Sequence, residues 1–147
     1  MIKLTEQQIN NIAEYLDSGM ICHYNLKTGK IIYVPNFNNM LYADEDDWRE
    51  QLDELDENWL DYFTFDPMTS RESFLVMADF IDTIDDRKLQ ERLVNALNRR
   101  KPFRNFKWEI DNSGPYREKW FDYKEKRSIE AVIKQIERHN RRPKENE

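Results

Sequence analysis

One cysteine and two histidines among 147 residues leave little material for several common chemistries. With Cys22 alone, no disulfide can close within the chain and no thiolate metal cluster can form, which points to a reducing compartment. His23 lies in a strand-like segment and His139 near the end of the chain, so a histidine-based zinc site or a histidine-driven triad has no convincing parts. Cys22 and His23 are sequence neighbours whose side chains point to opposite faces of a strand, which disfavours them as a nucleophile pair. No G-x-G-x-x-G, P-loop, G-x-S-x-G or H-E-x-x-H occurs, and no cofactor is implied. Nowhere do about eighteen apolar residues run together, and the opening MIKLTEQQINNIAEYL has no basic region followed by an apolar run. A cytoplasmic protein with no membrane association is expected.

What is present is charge, and enough aromatic side chains to imply a packed interior. Charged residues make up 35% and aromatic residues 13%, so the chain is too rich in large apolar side chains to be disordered. The length suits one domain, expected over residues 1–140, with a polar frayed tail over 141–147. The net charge of −6 conceals an asymmetry. Residues 1–86 carry 5 Lys+Arg against 19 Asp+Glu, and residues 87–147 carry 18 against 10, so the parts stand at −14 and +8.

Thr5 with Gln8 forms a capping-box pattern ahead of Ile9, Ile12, Ala13 and Leu16, which predicts a short amphipathic helix ending at Ser18-Gly19. Its narrow apolar stripe suggests packing at the domain edge. Met20–Asn25 and Lys30–Val34 read as a hairpin around Leu26-Lys27-Thr28-Gly29, with either face of the first strand a candidate for the core. An acidic helix follows from Asp44, carrying Trp48, Leu52 and Leu55, and Tyr62–Phe65 reads as a third strand. Thr69 and Glu72 cap a helix whose face carries Phe74, Met77, Ala78, Ile81 and Ile84, widened by Leu75 and Phe80. Asp85-Asp86 caps a helix with Leu89, Leu93, Ala96 and Leu97. Pro102 opens another, bearing Phe103, Phe106 and Ile110, and a last helix runs from about Tyr116 to Asn140. The fold class is α+β: a small three-stranded antiparallel sheet, a hairpin plus one strand, covered by about four C-terminal helices.

Ser70-Arg71-Glu72, Met77-x-Asp79-Phe80-Ile81, Leu97-Asn98, Phe103-Arg104-x-Phe106-Lys107 and Trp120-Phe121-x-Tyr123-Lys124 occur in that order. Over roughly residues 20–127 the chain thereby resembles a bacterial uncharacterised protein family of the UPF type. The resemblance implies a bacterial cytoplasmic protein of the same fold and supplies no activity, cofactor or catalytic residue. The chain differs from the family pattern at Arg100-Lys101-Pro102, where small residues and glycine are common, and in its acidic insert around Asp44–Asn58.

Between residues 99 and 108 the cations Arg99, Arg100, Lys101, Arg104 and Lys107 interleave with Phe103, Phe106 and Trp108. Cations could hold phosphates while an exposed ring stacks on a base. Core packing alone also produces that aromatic spacing and is the favoured account. Asp44–Asp47 lacks the D-x-D-x-D-G order of a calcium loop, so a solvated helix N-terminus is preferred to a metal site. Asp79, inside an apolar helix, is expected to pair with Arg104 or Lys107, structurally first. The leading reading is a non-catalytic cytoplasmic binding or regulatory module with a protein or polyanion partner, and weak self-association is allowed by the charge asymmetry. One alternative is a nucleic-acid-binding protein using residues 99–108. The other is a small enzyme with a pocket near Arg71, Asp79, Arg104 and Trp120.

Overall fold

Short-range chemistry starts and stops most of the elements. In the computed structural model, which describes residues 1–142, Thr5 and Gln8 form a complete capping box ahead of α1 (Glu6–Asp17). Gly19, at φ +94°, lets the chain leave that helix directly into β1 (Met20–Asn25). The Asn25 side-chain oxygen accepts from the amides of Lys27 (2.8 Å) and Thr28 (3.0 Å), closing the turn from which β2 (Ile31–Pro35) returns. A 3₁₀ turn (Glu45–Trp48) leads into α2 (Arg49–Glu57), and β3 (Tyr62–Phe65) completes an antiparallel sheet of order β2-β1-β3. Thr69 and Glu72 cap α3 (Ser70–Ile81), and Asp86 caps α4 (Arg87–Leu97). Pro102 stands at the start of α5 (Pro102–Asp111), and α6 runs over Tyr116–Arg141. The architecture is α+β.

The chain divides into two compact units, one made of Met1–Pro67 with the chain from Ser128 onward, the other of Met68–Arg127, and the boundary falls within α6. The expected tail over 141–147 begins at Arg141, the last residue of α6, and residues 143–147 lie outside the described residues.

In the first unit the register decides which sheet face is buried. Cys22 pairs with Tyr33 and Phe65, and Tyr24 with Ile31 and Phe63, so these residues share one face. That face packs with Ile12, Ala13 and Leu16 of α1 and with Val132 of α6. Helix α1, expected at the edge, is therefore part of the core, with Ile12 fully buried. The opposite face carries Ile32 and Val34, also buried, and Tyr62, whose hydroxyl donates to the Glu54 carboxylate of α2 at 3.0 Å. Distant parts of the sequence close this unit. The Asn140 side chain exchanges two hydrogen bonds with the Ile2 backbone, Gln135 does the same with Asp66, and Ser128 donates to Asp17 at 2.8 Å.

The second unit has its own core, in which Val76, Met77, Phe80 and Ile81 of α3 meet Leu89, Leu93 and Leu97 of α4, Phe106 and Ile110 of α5, and Trp120 of α6. The α3 stripe differs from the expected one. Leu75 is 48% exposed, while Val76, which the spacing did not single out, is buried.

Candidate functional site

The loop from Asn98 to Lys101 joins two helices whose inner faces are fixed by Leu93, Ala96 and Leu97 on α4 and by Phe106 and Ile110 on α5. With those faces inward, α5 turns Arg104, Lys107 and Trp108 outward together, since spacings of three and four place them on one side of a helix. Trp108 is 64% exposed and Phe103 44%. Phe103 is thus not the core residue that its spacing from Phe106 suggested, whereas Phe106 is buried.

Arg99, Arg100, Lys101, Arg104 and Lys107 are all exposed, and among the described residues none lies within ion-pair distance of a carboxylate. Other arginines of the same unit are paired: Arg92 with Glu109 at 3.4 Å, Arg117 with Asp111 at 3.2 Å, and Arg127 with Asp79 at 2.8 Å. Arg99, Arg100, Lys101 and Arg104 stand at and around the N-terminus of α5, where the helix dipole already presents positive potential, and Lys107 lies one turn further along. Concentrated like charge at that end disfavours the free state and favours an anion, to which unsatisfied helical amides also point.

The loop is held rather than loose. The Asn105 side-chain amide donates to the Arg100 carbonyl at 2.8 Å and approaches the Ala96 carbonyl at 3.5 Å. Lys101 adopts a left-handed conformation, φ +59°, a geometry that costs a non-glycine residue about 1–2 kcal/mol. A clamped turn loses less freedom on binding than a mobile one.

Two of the four residues of the expected pocket, Trp120 and Asp79, are engaged elsewhere. Trp120 is 8% exposed, its ring centred 5.2 Å from Phe80 and 4.8 Å from Phe106, so it has packing on both sides. Asp79 pairs with Arg127 rather than with Arg104 or Lys107, and the bond to Asp79 is the main cause that raises the Arg127 pKa. Arg71 is exposed in the first turn of α3, and Arg104 is exposed on α5.

Elsewhere, burial pushes the Cys22 thiol up to about 12, leaving it protonated and inert at neutral pH. His23 Nδ1 lies 2.9 Å from the Thr64 hydroxyl, and burial lowers its pKa. Among the described residues no three His, Cys, Asp or Glu side chains converge as ligands for one metal ion, Asp44–Asp47 included. No helix of the described chain is long and apolar enough to cross a membrane.

These features define a small α+β protein with a preorganised cationic and aromatic surface. Comparison with known proteins supplies the family: the model of the uncharacterised protein family UPF0158 matches residues 2–146, and the chain belongs to that family. It is 28% identical over 137 residues to a UPF0158 protein of Pseudomonas aeruginosa, an alignment covering 92% of this chain and 84% of that one. No solved structure matches it.

Proposed function

We propose that this is a bacterial cytoplasmic binding module, without catalysis of its own, whose α4–α5 face takes a polyanionic partner. The observation that carries this reading is that Arg99, Arg100, Lys101, Arg104 and Lys107 have no ion-pair partner among the described residues, in a unit whose other arginines include several paired ones. Three of them, Arg99, Arg100 and Lys101, stand on the clamped turn, and Arg104 and Lys107 follow on the outer side of α5. Trp108 favours nucleic acid among polyanions, because an exposed indole beside Arg104 and Lys107 supplies a stacking surface next to phosphate-binding cations. The separate engagement of Trp120 and Asp79 supports binding over an arginine–carboxylate active site.

Fluorescence anisotropy with labelled single- and double-stranded oligonucleotides, titrated across a salt series, tests the reading. Affinity should fall with salt, and Arg104→Ala with Lys107→Ala should reduce the magnitude of the log–log salt slope by about one for each phosphate no longer neutralised. Trp108→Ala should weaken single-strand binding more than double-strand binding. Absence of salt-sensitive binding to either nucleic acid and to inorganic polyphosphate would sink the proposal.

A further inference from the structure

We infer that the open edge of β2 is a docking groove for an extended, lysine- or arginine-bearing segment of a partner protein, which adds to the sheet as a fourth strand. This site lies in the first unit and stands independently of the cationic face on α5.

The hydrogen-bond parity of the hairpin identifies the free groups. The Asn25 amide donates to the Lys30 carbonyl at 2.8 Å and the Asn36 amide donates to the Gly19 carbonyl at 3.1 Å. In an antiparallel ladder bonded pairs alternate with non-bonded ones. With the observed register, Ile32 and Val34 therefore bond to β1, while the N–H and C=O groups of Ile31 and Tyr33 point away from it. β2 is an outer strand of the sheet, and among the described residues none of those four main-chain groups has a partner. Unpaired edge groups of this kind are templates for another strand.

A groove of about 650 Å³ runs along this edge, lined by residues from both sides of the sheet. On one side stand Tyr15 and Tyr33, their ring centres 4.2 Å apart. On the other stands α2, which lies over the face carrying Ile32 and Tyr62 and presents Glu50, Asp53 and Glu57 to the groove, with Trp48 of the preceding 3₁₀ turn beside them. Glu54 also lines it but is occupied by Tyr62 and by the Asn58 amide at 3.1 Å. Glu50, Asp53 and Glu57 have no ion-pair partner among the described residues. Carboxylates three and four apart on one helix face repel. Their placement along one wall of a groove favours a row of positive charges, and their failure to converge on one point disfavours a single metal ion.

An added strand would present alternate side chains to the two walls. Those facing α2 meet carboxylates and should be lysine or arginine; those facing Tyr15 and Tyr33 meet aromatic rings and should be apolar. Pro35 has no N–H to offer and ends the usable edge, so the recruited segment is short. A second copy of this chain is a poor occupant through the same edge, because β2 pairing with β2 would bring two acidic walls together.

The test uses the whole protein and a labelled hexapeptide alternating lysine and valine, read by anisotropy, with amide hydrogen exchange as the structural readout. The peptide should bind and protect the Ile31 and Tyr33 amides. N-methylation of the peptide amides that face β2 should weaken binding at least about tenfold with charge unchanged, the loss expected when a few net hydrogen bonds go. The surface variant Glu50→Gln, Asp53→Asn, Glu57→Gln should weaken it to a similar extent, and a peptide alternating glutamate and valine should not bind. Equal binding of the N-methylated peptide would overturn the inference, since charge alone would then suffice, as would absence of binding. Protection of the two amides by a concentration-dependent dimer without peptide would also overturn it, in favour of a second copy.

Discussion

Arg127 reaches Asp79 across 48 residues of sequence, its Nη1 2.8 Å from the carboxylate and 2.9 Å from the Tyr123 hydroxyl. The guanidinium carbon also stands 5.7 Å from the centre of the Tyr123 ring, so one side chain ties α3 to the first half of α6. The Asp79 side chain is 51% exposed and that of Arg127 29%, which keeps the pair in well-screened surroundings. Asp79→Asn and Arg127→Met should each cost no more than about 1 kcal/mol in urea unfolding, and a double-mutant cycle should return a coupling of at most that size. A coupling of several kcal/mol would contradict the screened, part-exposed setting of the pair.

Two tryptophans of the second unit should behave in opposite ways. Trp120 lies between Phe80 and Phe106 in the core, whereas Trp108 stands in solvent on α5. Trp120→Ala should lower stability by about 3–5 kcal/mol, and Trp108→Ala should change it by no more than about 0.5 kcal/mol. Fluorescence quenching by iodide separates them directly: Trp120→Phe should leave the readily quenched fraction in place, and Trp108→Phe should reduce it.

Most elements were legible because their signals are local. The boxes Thr5–Gln8 and Thr69–Glu72, the Asp86 cap, the glycine-closed hairpin and Pro102 at the head of α5 are each decided within about four residues. Features that depend on distant partners were not legible. Phe103 and Phe106 share a helical spacing, yet only Phe106 meets Trp120. Leu75 and Val76 are neighbours of nearly equal hydrophobicity, and the placement of α4 decides which one is buried. Asp79 had candidate cations in Arg104 and Lys107, and its actual partner is fixed by the path of α6. The cation strip was visible as composition, but its unpaired state required knowing where Glu109 and Asp111 point. The β2 edge groove needed the strand order, which no residue pattern contained.

Cys22 should make the fold sensitive to alkali. Its thiol is raised to about 12 by burial, against about 8.5 for an unfolded cysteine. The folded state therefore holds its proton through a window in which the unfolded state loses it, so this contribution is fully present below about pH 8.5 and declines as pH rises toward 12. Cys22→Ala should flatten the alkaline limb of stability against pH. A thiol reagent at neutral pH should label the native protein only at the rate of global or local opening.

His23 acts at the other end of the scale. Burial lowers its pKa from the ordinary 6.5, so the unfolded chain takes up a proton that the folded chain resists. Its neutral form is accommodated fully above about pH 6.5, and stability should decline as pH falls below that value toward the lowered folded pKa. His23→Gln should remove part of this acid loss near pH 6 while leaving stability at pH 8 nearly unchanged. Equal pH dependence of both proteins between 5 and 7 would show that other groups, such as His139, whose pKa burial also lowers, carry the effect.

Lys101 joins stability and binding at one residue. Its φ of +59° is a conformation that glycine adopts freely and lysine does not, and its side chain is one of the five cations of the turn and α5 that lack an ion-pair partner among the described residues. Lys101→Gly removes the steric cost and enlarges the unfolded ensemble, two opposing changes that should leave a net gain of about 0.5–1 kcal/mol. If the turn serves only to connect two helices, nothing else should change. If it is the polyanion face, the same substitution should weaken oligonucleotide binding and shrink the salt slope by about one, whereas Lys101→Asn, which tolerates the left-handed backbone, should reproduce the weaker binding with less gain in stability. Thermal unfolding and anisotropy on the three proteins separate the backbone from the charge. Undiminished binding by both variants would remove Lys101 from the site while leaving its strain to be explained by the clamp from Asn105 alone.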